Sequence, residues 1–266
     1  MLESKTVPAD DIIYGVPPVA RAFALLRHIA AGNRCRNISS VAKETGINRT
    51  TLIRLLATLE QEGMIEALAD EGGYRLGTGL VTLAQNALHE RSIAQLAPRF
   101  LADLVDELNL SAHLGVLEGR EIVYLARSTP NSHLVSNVKE GTRLPAHATT
   151  IGRILLAELP REVLAAQYQG VHMDAYSDKT RTSLADLERQ LAEDRALGIA
   201  WSAANFEPEI GSAAVLVRDH RGGAAGAINV TGHVSAFAPG SPRLPEIEQG
   251  LKKSALGLSR ALGYRG

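Results

Sequence analysis

The sequence predicts an α+β protein of two domains: a small helical head, then a larger unit of hairpin-linked strands and flanking helices. Length is the first reason, since 266 residues exceed the roughly 100 to 200 of an ordinary domain. Periodicity is the second. Apolar residues recur at three-to-four-residue steps as far as Glu62, and beyond it helical stretches mix with short apolar runs bounded by turn residues. Composition is the third: 45% hydrophobic and 21% charged residues describe a folded globular chain, not a disordered or fibrous one.

In the head, PPVARAFALLRHIAA (17–31) opens with prolines, which the first turn of a helix accepts, and places Val19, Ala22, Phe23, Leu26 and Ile29 on one stripe. GNRCRN (32–37) reads as a loop. Ser39 or Ser40 is then expected to cap a short helix bearing Val41, Ala42 and Thr45, with Gly46 as its left-handed stop. Asn48 caps a third helix to about Glu62, whose buried stripe is Leu52, Leu55, Leu56 and Leu59. Its opposite face carries Arg49, Thr50, Ile53 and Arg54. Two helices joined by a short turn containing Gly, the second with a polar outer face, make the helix-turn-helix pattern. Residues 64–68 and 74–76 flank Asp70-Glu71-Gly72-Gly73 and read as a β-hairpin wing.

Net charge is only −1, but the average conceals an asymmetry. From Gly15 to Leu59 seven basic residues face one acid, a local +6, which leaves −7 for the rest of the chain. A basic head suits phosphate contact. Aromatic residues, at 4%, are too few for base-stacking platforms. The single Cys35 excludes an internal disulfide and a thiolate cluster. No run reaches the roughly 20 apolar residues of a membrane span, and residues 1–14 lack the pattern of a signal peptide. A cytoplasmic protein without cofactor or membrane partner is expected.

In the remainder, helices are expected at 79–89 and 93–108, strands at 111–117 and 121–126, and helices at 149–157, 160–167 and 184–196. The last of these follows the capping pair Ser183 and Asp186. Strands at 213–217 and 225–230 flank the turn Asp219-His220-Arg221-Gly222-Gly223, and a helix from Leu244 to Leu262 closes the chain. Domain bounds of 15–78, 79–91 for a linker helix, and 92–264 follow.

These blocks, in order, resemble the IclR family of bacterial transcriptional regulators over residues 15 to 262. They are ARAFALLRHIA, VAKETGINRTTLIRLLATLEQEGMIE, GGYRLGTGLVTLA, GTRLPAHATTIGRILLA and EPEIGSAAVLVRDHRGGAAGAINVTG. The resemblance implies a winged helix-turn-helix, a linker helix and a GAF-like effector-binding domain, with a homodimer or homotetramer on double-stranded operator DNA. For DNA contact the residues are Ser40, Lys43, Asn48, Arg49, Thr50, Thr51, Arg54 and Arg75. Arg54 is the base reader, because a guanidinium bonds guanine O6 and N7 together, and Lys43 and Arg75 reach phosphates. For the effector, the resemblance points to Leu144, Ala148, Thr149, Thr150, Ile151, Ser202, Ser212, Asn229 and Thr231. A helix beginning at Thr149 would offer free N–H groups to an anion, so a short carboxylate or semialdehyde is expected, bound by a repressor of a catabolic operon. Thr150-Ile151 replaces the small residues of many members, and Ser202 and Ser212 replace an acid and a thiol seen in some.

Two rivals stand beside this reading besides a ligand-dependent activator. A winged helix also serves as an interaction module that never touches DNA. Catalysis is disfavoured, because the chain holds no Gly-x-Ser-x-Gly elbow, phosphate-binding Walker loop or His-Glu-x-x-His helix. His113, His133, His147 and His220 read as packed or surface histidines.

Overall fold

The computed structural model describes residues 15–69, 72–89, 92–131 and 138–266. Part of the wing turn (Asp70, Glu71), His133 and the expected domain boundary at residue 91 lie outside them. The chain divides into two compact units between residues 90 and 91.

The first unit is built from α1 (Pro17–Ala30), α2 (Ile38–Thr45) and α3 (Arg49–Gln61), a hairpin of β1 (Ile65–Ala67) and β2 (Tyr74–Leu76), and α4 (Thr78–His89). Its core gathers Leu25, Ile29, Cys35, Val41, Ile47, Leu52, Leu56, Leu59 and Ile65. The stripe on α1 differs from expectation: Leu25 and Ile29 are buried, whereas Val19 and Phe23 are 51% and 55% exposed. Among the described residues only the carboxy-terminal half of the helix buries side chains in this core. The cap of α2 also differs. Asn37, not Ser39 or Ser40, accepts the Ser39 and Ser40 N–H groups at 2.9 and 3.3 Å, because the helix begins one residue before the serines and turns them into its first-turn donors. Gly46 ends α2 with φ +68°, a left-handed conformation that costs glycine nothing.

The second unit begins with α5 (Ser92–Leu108), followed by β3 (Ser111–Glu118), β4 (Glu121–Ser128), β5 (Arg143–Pro145), α6 (Thr150–Leu156), α7 (Arg161–Tyr168) and α8 (Leu184–Leu197). Then come β6 (Ala200–Ala203), β7 (Ile210–Arg218), β8 (Ala224–His233) and α9 (Leu244–Ala261). Among the described residues, six strands form one antiparallel sheet in the order β5-β4-β3-β8-β7-β6. The short edge strands β5 and β6 are additions to the sequence reading. Asp219 closes the β7–β8 hairpin by accepting the Arg221 and Gly223 N–H groups at 2.8 and 2.9 Å.

Alternation along the strands divides the side chains between two layers. Ala112, Leu114, Ala213, Val215, Ile228 and Val230 pack with α5 and α9. Ile122, Tyr124, Ala214 and Ala227 pack with α6, α7 and α8. The polar residues expected to meet an effector belong to the second layer.

Candidate nucleic-acid interface and effector site

The helix-turn-helix places α3 by burying Ile47 in the turn, 3% exposed, and by capping the helix with Asn48, whose Oδ1 accepts the Thr51 N–H at 2.9 Å. With Leu52, Leu56 and Leu59 turned inward, Arg49, Thr50, Ile53 and Arg54 face outward in one patch. Ile53 is 53% exposed. An aliphatic side chain between two arginines is a group that can meet a thymine methyl. Among the described residues neither Arg49 nor Arg54 joins an ion pair, whereas Arg75 does.

The other expected DNA residues are differently placed. Lys43 is exposed on α2. Ser40 donates to Glu44 Oε1 at 2.7 Å, and Thr51 is half-buried. In the wing, Arg75 Nε and Nη2 donate to Glu66 Oε2 at 2.9 and 2.8 Å. Glu66 also accepts the Thr78 N–H at 3.2 Å. These contacts, the Arg75 hydrogen bond foremost, hold the Glu66 carboxyl below its ordinary range. The pair is exposed and worth little in stability, but it directs part of the Arg75 guanidinium along the hairpin.

In the second unit a chain of polar side chains crosses the sheet beneath α6. Thr150 and Ser212 share a hydrogen bond of 2.7 Å between their hydroxyls. Asn229 Nδ2 donates to Ser212 Oγ at 3.1 Å, and Asn229 Oδ1 lies 3.0 Å from His113 Nδ1. All four residues are buried. Leu144 and Ile151 supply apolar walls nearby in the sequence-expected set, and Ala148 is buried in the segment before α6. Gly152 lets that segment approach, since a Cβ there would sit 2.1 Å from the Ala146 carbonyl oxygen.

Three expected residues stand apart from this chain. Ser202 is spent on its own turn, donating to Asn205 Oδ1 and accepting the Asn205 N–H, both at 3.2 Å. Thr149 is the cap of α6, accepting the Gly152 N–H at 3.2 Å. The helix therefore starts one residue later than expected and spans seven residues, with Thr149 itself taking the Gly152 N–H. Thr231 Oγ1 is buried with no hydrogen-bond partner. His113, expected as a packed or surface histidine, is buried as a packed one and joins the polar chain, which the sequence did not indicate. No periodicity reveals this contact, because it joins cross-strand neighbours 116 residues apart.

Arg153, in the next turn of α6, joins Asp194 of α8 through Nε–Oδ2 at 2.9 Å and Nη2–Oδ1 at 3.1 Å. Its Nη2 also donates to the Trp201 carbonyl at 2.7 Å. Arg153 and Asp194 are 1% and 2% exposed. Burial pushes the Asp194 carboxyl up despite its partner. This pair fixes the helix that carries Thr150 over the sheet.

Comparison with known proteins accords with both halves. Residues 18–69 match the IclR helix-turn-helix domain, and residues 85–260 match the bacterial transcriptional regulator IclR C-terminal family. The chain is 32% identical over 227 residues to the HTH-type transcriptional regulator XynR of Escherichia coli K12, covering 85% of this chain and 89% of that protein. A transcriptional regulator from Rhodococcus sp. RHA1 superposes with a TM-score of 0.79 at 28% identity, covering 93% and 98% of the two chains. An IclR homologue from Microbacterium hydrocarbonoxydans, solved with 4-hydroxybenzoate, shares the fold with a TM-score of 0.81 at 22% identity, covering 92% and 98%. Among the described residues no helix is long and apolar enough to cross a membrane. A capped, outward-facing recognition helix, an antiparallel α+β second unit and family matches to each half lead to one conclusion: the chain belongs to the IclR family and is a DNA-binding transcriptional regulator, not an enzyme.

Proposed function

We infer that the protein represses a catabolic operon by binding double-stranded operator DNA through α3, and that a small effector in the second unit releases it. The observation that carries the DNA half is the outward patch of Arg49, Thr50, Ile53 and Arg54 on a helix whose start is fixed by Asn48. Residues in the first turns of such a helix enter the major groove. Arg54 is assigned to a guanine, Ile53 to a thymine methyl, and Thr50 with Thr51 to the adjoining backbone or methyl groups. Lys43, Ser40 and Asn48 are assigned to phosphates flanking the groove, and Arg75, paired with Glu66, to the wing contact. A homodimer or homotetramer of such heads calls for a roughly palindromic site.

The effector half rests on the buried chain Thr150–Ser212–Asn229 together with Leu144, Ala148 and Ile151, and on Thr231 of the same strand as Asn229. Uncharged hydrogen-bonding groups in a largely apolar layer suit a small polar metabolite such as a short carboxylate or semialdehyde. Ligand coupling of about 1 to 3 kcal/mol, or about 5- to 150-fold in operator affinity, is sufficient for regulation. The test is fluorescence anisotropy of the full chain on DNA upstream of its own gene, with and without a panel of small carboxylates. Sequence-selective binding that one carboxylate weakens at least 5-fold is expected. Selective binding strengthened by the ligand replaces the repressor with an activator, and binding indifferent to every ligand that demonstrably occupies the second unit overturns the effector assignment.

A further inference from the structure

The effector layer contains a hydrogen-bond acceptor that the protein leaves bare. Asn229 Nδ2 donates to Ser212 Oγ, so the oxygen of the same amide faces His113 Nδ1. An oxygen there requires Nδ1 to carry the proton, and the neutral imidazole then has its lone pair on Nε2. His113 Nε2 is buried and has no hydrogen-bond partner. The ring is 1% exposed and stands edge-on to Tyr124, centroids 5.7 Å apart. Desolvation pushes the imidazole down to about 4, with the Asn229 hydrogen bond opposing and Arg127 adding to the shift. The ring is neutral at physiological pH, and protonation does not relieve the bare nitrogen.

A second unpartnered atom lies on the same face of the sheet. Thr231 Oγ1 is buried without a partner. In the sheet register His113 pairs with Asn229, and Ser111 pairs with Thr231. His113 and Thr231 therefore lie on one face of the sheet, on neighbouring strands and offset by two residues, a diagonal of about 7 to 8 Å that one small ligand can span. Buried polar atoms are almost always satisfied. Gln167 Oε1 and Tyr168 Oη on α7 are also unpartnered among the described residues, but His113 and Thr231 are the two on the sheet face that carries Asn229 and Ser212, and they mark a site that is complete only when something else fills it.

We propose that the effector carries a hydroxyl that donates to His113 Nε2, with Thr231 Oγ1 making the second contact, so that the regulator selects hydroxylated ligands over their deoxy counterparts. The proposal rests on the effector reading above and narrows it from small polar metabolites to hydroxy compounds. A site built to bond a ligand hydroxyl discriminates strongly against the analogue lacking it, because the acceptor is otherwise left buried and unpaired.

The experiment is calorimetry of the full-length protein with matched pairs: glycolate and acetate, 3-hydroxybutyrate and butyrate, 4-hydroxybenzoate and benzoate. The hydroxylated member of at least one pair binds about 10-fold tighter or more, the size expected from relieving one bare buried acceptor. That preference falls below about 3-fold in His113→Phe, which keeps a ring against Tyr124 and removes the acceptor. Equal binding within every pair that binds, or a preference that survives in folded His113→Phe, overturns the proposal while leaving the effector reading intact. No binding by any member overturns both. Should His113→Phe fail to fold, long-range 1H–15N spectra of the wild-type protein decide: a His113 ring protonated on Nδ1 with Nε2 bare supports the proposal, and a ring protonated on Nε2 overturns it.

Discussion

Asp194→Asn destabilises the second unit severely, whereas removing both members of its ion pair does not. The wild-type carboxylate receives two buried guanidinium N–H groups at 2.9 and 3.1 Å and the half-buried Gln190 amide at 3.2 Å. Deleting its charge leaves Arg153 cationic and buried, with the Trp201 carbonyl as a remaining acceptor. Breaking one side of a buried pair costs about 3 to 5 kcal/mol, which for a unit of this size lowers Tm by about 6 to 20 °C. Arg153→Met differs in its pH response. The stranded Asp194 carboxyl, already pushed up by burial, takes up a proton in the folded state at a pH where the unfolded chain is ionised. A folded pKa above the unfolded one gives stability that is present at low pH and lost as pH rises through the folded value. Arg153→Met therefore recovers between pH 7.5 and 5 relative to wild type, and Asp194→Asn does not. The double variant Arg153→Met/Asp194→Leu approaches wild-type stability. Urea and thermal melts at both pH values check this. A loss under 1 kcal/mol in Asp194→Asn, or a double variant no better than either single one, refutes the reasoning.

Other expectations follow from single contacts. Asn48→Ala removes the cap of α3 and costs the first unit about 1 kcal/mol, read as a lower midpoint in its urea transition. His113 is neutral in the fold with a value near 4, below the unfolded 6.5, so its stabilising contribution is full above 6.5 and is lost as pH falls toward 4. Wild type accordingly loses about 2 kcal/mol more than His113→Phe between pH 7 and 5, measured by denaturant melts. Gly152→Ala, whose new methyl meets the Ala146 carbonyl, costs about 1 to 3 kcal/mol by overpacking and abolishes ligand response while operator binding persists, as anisotropy with and without ligand shows.

Local chemistry made the head legible. Gly46, Asn48 and the leucine stripe of α3 specify a helix stop, a helix start and a buried face within fifteen residues, and the fold realises all three. Capping failed at Ser39 and Ser40 because a competing Asn37 lay two residues upstream, a choice that depends on where the helix begins. Phe23 fell on the wrong face because α1 packs only along its carboxy-terminal half. In the second unit, Ser183, Asp186 and the Asp219 turn announced their elements locally, but β5 and β6 are three and four residues long and have no period to detect. The polar chain is non-local throughout: Thr150, Ser212, Asn229 and His113 come from four elements, and the resemblance supplied the first three without the histidine that ends it.

The central claim, that the α3 face reads operator DNA, is tested most directly by salt-dependent affinity for the operator and for a random duplex. Affinity of the wild type falls steeply with salt, since each neutralised phosphate adds about −0.9 to the log–log slope. Arg54→Ala weakens operator binding by about 1 to 3 kcal/mol while random-duplex affinity changes far less. Operator and random affinities that fall together in Arg54→Ala, or do not fall at all, would contradict the assignment of α3 as the element that reads sequence.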